Sequence, residues 1–380
     1  MKKYIENTLI EDNTRISWVD IAKSIGIIAI VLGHSSTGYM YNVCFSFNSV
    51  IFFVLSGMTF CRIKGRYDDK LCFDNRSWMM FIKNILQTIF VPYIICGVCS
   101  IFIYSLIGNI VTSRLNLEQE HFSFFYNFIG LIYGNSESGY FEWNRPLWFL
   151  TALIMVEIIC FCMLKLAYRD NGRMQMNILW ISMAISVIWI IVQDFLEINF
   201  VLPFELETAF GMYFFFCIGL LIRSIEWDNS KLGIWFAKQI YKKLYIVVVL
   251  NVGIVTSGIL TWINGSTDTR ADKFSNVYLY LLNALIACAM VILLARCMYS
   301  NKMLEYIGKR TMAILVMHKF PIMFFKMIFP TVNTAILEGN VFVSIIMCAV
   351  TIALCLVVEK VINMFLPEVF GKTRKMSGSR

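Results

Sequence analysis

Residues Arg15 to Phe60 read RISWVDIAKSIGIIAIVLGHSSTGYMYNVCFSFNSVIFFVLSGMTF, two apolar runs that carry Asp20, Lys23, His34 and the pair Ser56-Gly57 into sequence otherwise fit for lipid. An ionisable side chain near mid-bilayer costs roughly 2.5–3.5 kcal/mol even on the gentler insertion scales, so it is normally retained for work rather than for stability. On a helix turning ~100° per residue, Lys23 and His34 fall only ~20° apart in azimuth and about 16 Å apart along the axis, with Asp20 ~40° from His34. One stripe therefore holds charge near one membrane surface and an imidazole much deeper. Arg15 falls about 100° off that stripe and joins the site only if the helix begins after it.

The rest of the chain has the same character. A mean hydropathy of +0.68, with 58% hydrophobic and 15% charged residues, lies outside the range of soluble domains. Apolar runs of the length a bilayer requires, about 20 residues, are expected near 16–40, 43–61, 84–108, 146–165, 177–193, 208–225, 244–263, 275–297, 310–330 and 341–366. The fold class that follows is all-α, a polytopic membrane protein of about ten spans. It divides into a short N-terminal segment (1–15), one membrane domain (16–366) and a basic tail (367–380). The polar N-terminus MKKYIENTLIEDNTR precedes no small-residue cleavage site, so the first run is expected to be retained as a helix.

All but six of the 33 Lys and Arg fall at or before Lys23, in alternate loops, or from Lys360 on; the exceptions are Arg114, Arg145, Arg270, Lys273, Lys319 and Lys326. The positive-inside rule then puts both termini in the cytoplasm of a multi-pass cell-membrane protein. The net charge of +8 reflects this topology and implies no nucleic-acid partner. Most of the 12 cysteines lie in apolar spans, where small soft residues pack well, so neither a disulfide framework nor a redox role for Cys96-Gly97-Val98-Cys99 is expected. Phosphate-loop, zinc and dinucleotide motifs are all lacking, and no metal or bound cofactor is expected.

His34 leads the candidate chemistry. An imidazole takes a proton from a hydroxyl and passes it to a leaving group, as acyl transfer to an alcohol requires; the alternative is a histidine that only bonds a carbonyl between helices. His318 lies about 12 Å beyond Arg310, at a depth to match His34. Three residues on, Pro321 leaves the Met317 carbonyl without its usual donor. His121, in the acidic outer loop, reads as a solvated side chain. Asp20 and Lys23 are either a structural ion pair or an anion-meeting group facing the cytoplasm. Ser56-Gly57 serves close helix packing or donates to a developing oxyanion. Arg145 and Trp148 mark the outer mouth of the fourth span, where Arg145 can meet an acceptor. Arg62, Lys64, Arg66, Arg76 and Lys83 are topology signals that also attract a polyanion such as the nucleotide end of coenzyme A.

With these residues in view the chain resembles the bacterial integral-membrane acyltransferases of family three, O-acetyltransferases that decorate cell-surface and exported polysaccharides. The resemblance is carried by Arg15-Ile16-Ser17-Trp18-Val19-Asp20-Ile21-Ala22-Lys23 running on to Gly33-His34. It continues in Phe52-Phe53-Val54-Leu55-Ser56-Gly57, Pro146-Leu147-Trp148-Phe149-Leu150, Phe215-Phe216-Cys217-Ile218-Gly219, and Ile307-Gly308 leading to His318. It implies about ten helices, acetyl-CoA or another acyl-CoA as cytoplasmic donor, a glycan or glycolipid acceptor, and His34 as the catalytic residue with Asp20 and Lys23. Substrate-binding roles are assigned to Arg15, Ser56, Gly57, Lys83, Arg145, Trp148 and His318. Two positions depart from the family: Met58 follows Ser-Gly where an aromatic is usual, and the arginine-rich start of the third span is reduced to Lys83 and Gln87. The competing reading is a transporter or flippase using the same buried charges as a relay; a membrane sensor or assembly subunit would need no Lys23/His34 stripe.

Overall fold

A computed structural model of the chain describes residues 16–60, 77–115, 124–137, 144–166, 172–197, 200–227, 243–269, 273–298 and 301–370. Arg15, Arg62, Lys64, Arg66, Arg76 and His121, together with the expected segment 1–15 and residues 371–380 of the expected tail 367–380, lie outside these residues. Among them, nine helical spans are long and apolar enough to cross a bilayer, and one bent pair makes a tenth.

The first helix, α1 (Ser17–His34), ends six residues before the boundary the apolar pattern gives. Ser35, Ser36 and Thr37 stop it, because short hydroxyl side chains compete for the backbone. The Ser36 hydroxyl turns back to the Gly33 carbonyl at 3.4 Å, and the Thr37 hydroxyl donates across the bundle to the Ile336 carbonyl at 2.6 Å. Gly38 then takes φ +62° with nothing within 4 Å of a would-be Cβ, so glycine serves the reversal there and not the space. His34 is thus the last residue of its helix, at a sharp return, rather than a mid-helix residue. The chain runs back through α2 (Gly38–Phe45) and α3 (Val50–Phe60), which together form the second span, Gly38–Phe60.

The third span, Trp78–Gly108, starts earlier than expected. It joins α4 (Trp78–Ile85) to α5 (Val91–Leu115) through one π-helical stretch, Leu86–Phe90, just ahead of Pro92, which has no N–H to give the regular ladder. After α6 (Phe124–Tyr133) come α7 (Trp148–Leu166), α8 (Gly172–Leu196), α9 (Leu206–Trp227), α10 (Lys243–Asn264) and α11 (Val277–Cys297). The chain then breaks into shorter pieces, α12 (Lys302–Gly308), α13 (Thr311–Met317), α14 (Lys319–Ile328) and α15 (Pro330–Leu337), before the last span, α16 (Val341–Phe365). A two-residue antiparallel ribbon, Thr267–Asp268 with Lys273–Phe274, sits between α10 and α11.

Small residues set the closest approaches. A Cβ on Gly57 would lie 2.0 Å from the Phe216 carbonyl oxygen, and one on Gly219 2.0 Å from the Val54 carbonyl oxygen, so α3 and α9 cross backbone to backbone. A Cβ on Gly308 would lie 1.8 Å from the Asp20 carbonyl oxygen, which presses α12 onto the first turn of α1. Buried polar clasps hold the irregular stretches. Asn135 donates to the Leu202 carbonyl at 2.8 Å and to Glu207 at 2.5 Å, and the Ser136 N–H donates to Glu205 at 2.5 Å. Glu205 is fully buried and, like Phe204 before it, takes a positive φ. Glu207 is buried as well.

The ninth expected span, 310–330, is broken. α13 and α14 meet at 42°, as Pro321 requires, since its nitrogen carries no proton for the Met317 carbonyl. Asn144, 1% exposed, crosses to this break and donates through Nδ2 to the Val316 carbonyl at 2.9 Å and to the Ser100 hydroxyl at 3.0 Å.

Two substitutions test this packing. Gly308→Ala forces α12 off α1 and is expected to destabilise by about 1–3 kcal/mol or more. Asn144→Ala leaves a buried carbonyl without its donor, a cost of about 1–3 kcal/mol. Both are read as a lowered midpoint of thermal unfolding in detergent, and an unchanged midpoint for Gly308→Ala contradicts the close approach.

Candidate active site

The reversal after α1 and the break between α13 and α14 bring two histidines together. The His34 and His318 rings lie 5.1 Å apart, centroid to centroid, inclined at 34°. Phe45 meets the other side of His34 edge-on at 5.3 Å and is itself stacked on Tyr41 at 4.2 Å. Gly33 makes this possible, for a Cβ there would be 2.7 Å from the Phe45 ring.

The two imidazoles differ in setting. His34 is half-buried, whereas His318 is fully buried. His318 Nδ1 lies 2.8 Å from the Leu315 carbonyl and 3.1 Å from that of Ile314. A carbonyl only accepts, so Nδ1 carries the proton and, in the neutral ring, Nε2 presents a lone pair. That Nε2 is buried and has no hydrogen-bond partner among the described residues. Asn144 and Ser100 also pack at the break, with Tyr104, whose ring stacks on Phe320 at 5.3 Å.

The other expected site residues lie elsewhere. Asp20 and Lys23 sit about 21 and 16 Å down α1 from His34, so the structure does not bring them to the imidazoles. Their end of the helix is nonetheless densely polar. The Ser17 hydroxyl donates to Glu305 at 2.5 Å, and the Arg296 guanidinium lies over the Trp18 ring at 4.4 Å. Gly57 is occupied by the contact with α9, and Ser56 beside it is half-buried. Lys83 is exposed in a shallow apolar groove with Met79, Ile82, Leu86 and Gln87, on the outside of the bundle. Arg145 and Trp148 are half-buried at the start of the fourth span, next to Asn144 and hence near the break. Among the described residues no three His, Cys, Asp or Glu side chains are grouped to hold a metal, and Cys96 and Cys99 are unbridged.

Asn144 and Arg296 are the two residues at these sites that sequence reasoning missed. Asn144 stands two residues ahead of Pro146, but nothing in the sequence says which carbonyl its amide meets. Arg296 reads as one more topology charge, and only the packing of α11 on α1 gives it Trp18.

A half-buried imidazole beside a second imidazole, deep in an apolar bundle, is equipped for proton transfer to and from a hydroxyl, or for nucleophilic attack at a carbonyl. Comparison with curated proteins and with solved structures gives no match. The family model described as an acyltransferase domain, of acyltransferase family 3, matches residues 16–360, a range that takes in both histidines, the broken span and all the spans between. The chain belongs to the family-3 membrane acyltransferases.

Proposed function

We propose that this acyltransferase moves an acyl group, acetyl in the first instance, from cytoplasmic acyl-CoA to a hydroxyl of a cell-surface or exported polysaccharide or its lipid-linked precursor, in a bacterial cytoplasmic membrane. The observation that carries the reading is the placement of His34, the last residue of the first helix, half-exposed and seated against His318. The concentration of Lys and Arg at the end of α1 opposite His34 supports donor approach from that side, with Lys23 and Arg296 toward the phosphates of coenzyme A and Asp20 orienting Lys23. The acceptor then comes from the side of Arg145 and Trp148.

Chemically, the acceptor hydroxyl attacks the thioester carbonyl while His34 takes its proton; the C–S bond breaks and the proton passes to the departing thiolate. In the covalent variant a ring nitrogen of His34 attacks first, coenzyme A leaves, and the hydroxyl then attacks the acyl-imidazole. A burst of labelled protein from radiolabelled acetyl-CoA without acceptor identifies the covalent route. Ternary-complex kinetics without a burst identify the direct one.

His34→Ala, at normal expression, is expected to lower transfer of label from acetyl-CoA to membrane glycan by about 10²–10⁴-fold, the usual worth of a positioned acid–base group. Wild-type transfer rates in this variant would overturn the assignment.

A further inference from the structure

Full burial separates His318 from any group that handles substrate directly. The atom that remains chemically open is Nε2, because Nδ1 is committed to the Leu315 carbonyl. The His34 ring lies 5.1 Å from that of His318, centroid to centroid, a separation that accommodates one N–H···N bond of about 2.9 Å once the rings turn toward each other. A histidine in that position resembles the third member of a relay, which orients a base without meeting the substrate.

We infer that His318 is a positioning residue for His34, and that the backbone carbonyl of Leu315 fixes the tautomer of both rings in succession. This rests on the acyl-transfer reading above for its consequence, though not for its geometry. The Leu315 carbonyl accepts from His318 Nδ1–H, which leaves Nε2 as an acceptor. Nε2 accepts from one ring N–H of His34, which leaves the other His34 nitrogen unprotonated and facing the acceptor hydroxyl. During transfer that nitrogen takes the hydroxyl proton and the C–O bond forms as the C–S bond breaks. His34 becomes imidazolium, held by a charge-assisted bond to His318, and returns the proton to the thiolate. His318 neither gains nor loses a proton. The helix break is what makes this possible, since Asn144 holds the adjacent Val316 carbonyl and so fixes the turn that carries His318.

Two substitutions of similar size separate this role from substrate binding. Asn places its amide where Nδ1 was, keeping the bond to Leu315 while removing the acceptor at the Nε2 position; Gln places an oxygen near the Nε2 position. The chain has three histidines, so in a His121→Gln background ¹⁵N-histidine labelling reports two rings, and with His318→Asn it reports His34 alone. The expected result is a single His34 tautomer in the parent and in His318→Gln, and a mixture in His318→Asn. In parallel, kcat for acetyl transfer falls about 10²-fold in His318→Asn and about tenfold in His318→Gln, with the KM for acetyl-CoA changed less than twofold. An unchanged His34 tautomer in His318→Asn overturns the proposal. So does a KM that rises while kcat holds, which would make His318 a substrate contact. If the parent releases no coenzyme A and transfers no label, the acyl-transfer reading fails, while the tautomer measurement still decides the relation between the rings.

Discussion

Inside a bilayer each backbone carbonyl must find a donor within the protein, because no water is there to supply one. The break at Met317 to Lys319 makes that requirement acute, for Pro321 withdraws a proton from the ladder in the middle of a span. The neighbouring carbonyls are met by side chains: Val316 by Asn144 from the start of the fourth span, and Leu315 by His318 from the break itself. The same bonds that make the interruption tolerable in lipid fix a polar cluster and the proton position on an imidazole. Backbone satisfaction and site construction are here one set of interactions.

Depth is governed by a second constraint, the close approach of helices through glycine. α1 is about 26 Å long, and its first turn is held by Gly308 against the Asp20 carbonyl. From that contact α13 leads on to His318 and α1 leads to His34, and the two rings lie 5.1 Å apart. At the upper end Gly33 admits Phe45, which closes the far side of His34. The crossing of α3 and α9 through Gly57 and Gly219 braces the spans behind.

α1 therefore works as a strut between two different environments. At one end Ser17, Trp18 and the Asp20 backbone meet Glu305, Arg296 and Gly308; at the other His34 meets aromatic and imidazole rings. The proposed acyl-CoA donor, anionic at one end and reactive at the other, fits this division. The departure at Lys83 fits the same picture, since that side chain faces out of the bundle and the polar groups nearest α1 come from α11 and α12 instead.

The order and number of the spans were legible in the sequence because hydrophobic length is a local property: each apolar run had to cross a slab of fixed thickness, whatever it packed against. The family likewise follows from residues close in the chain, Arg15 to Lys23 and Gly33-His34, since a contiguous pattern survives without its surroundings. Local chemistry also marked Pro321 as a fault in its span. Where α1 stops was less legible: Ser35-Ser36-Thr37-Gly38 is short and uncharged, so it does not by itself interrupt the run, and what ends it includes a hydroxyl finding a carbonyl on α15. Only the tertiary structure could decide that His318 faces His34, that Asn144 holds Val316, that Glu205 and Glu207 are interior, and that Asp20 and Lys23 stand a helix-length from the imidazoles. Each of these is a meeting of residues distant in the chain. Periodicity gives a side chain its azimuth on its own helix, but its partner is set by how helices cross, and in this bundle that is settled by a few glycines and one proline.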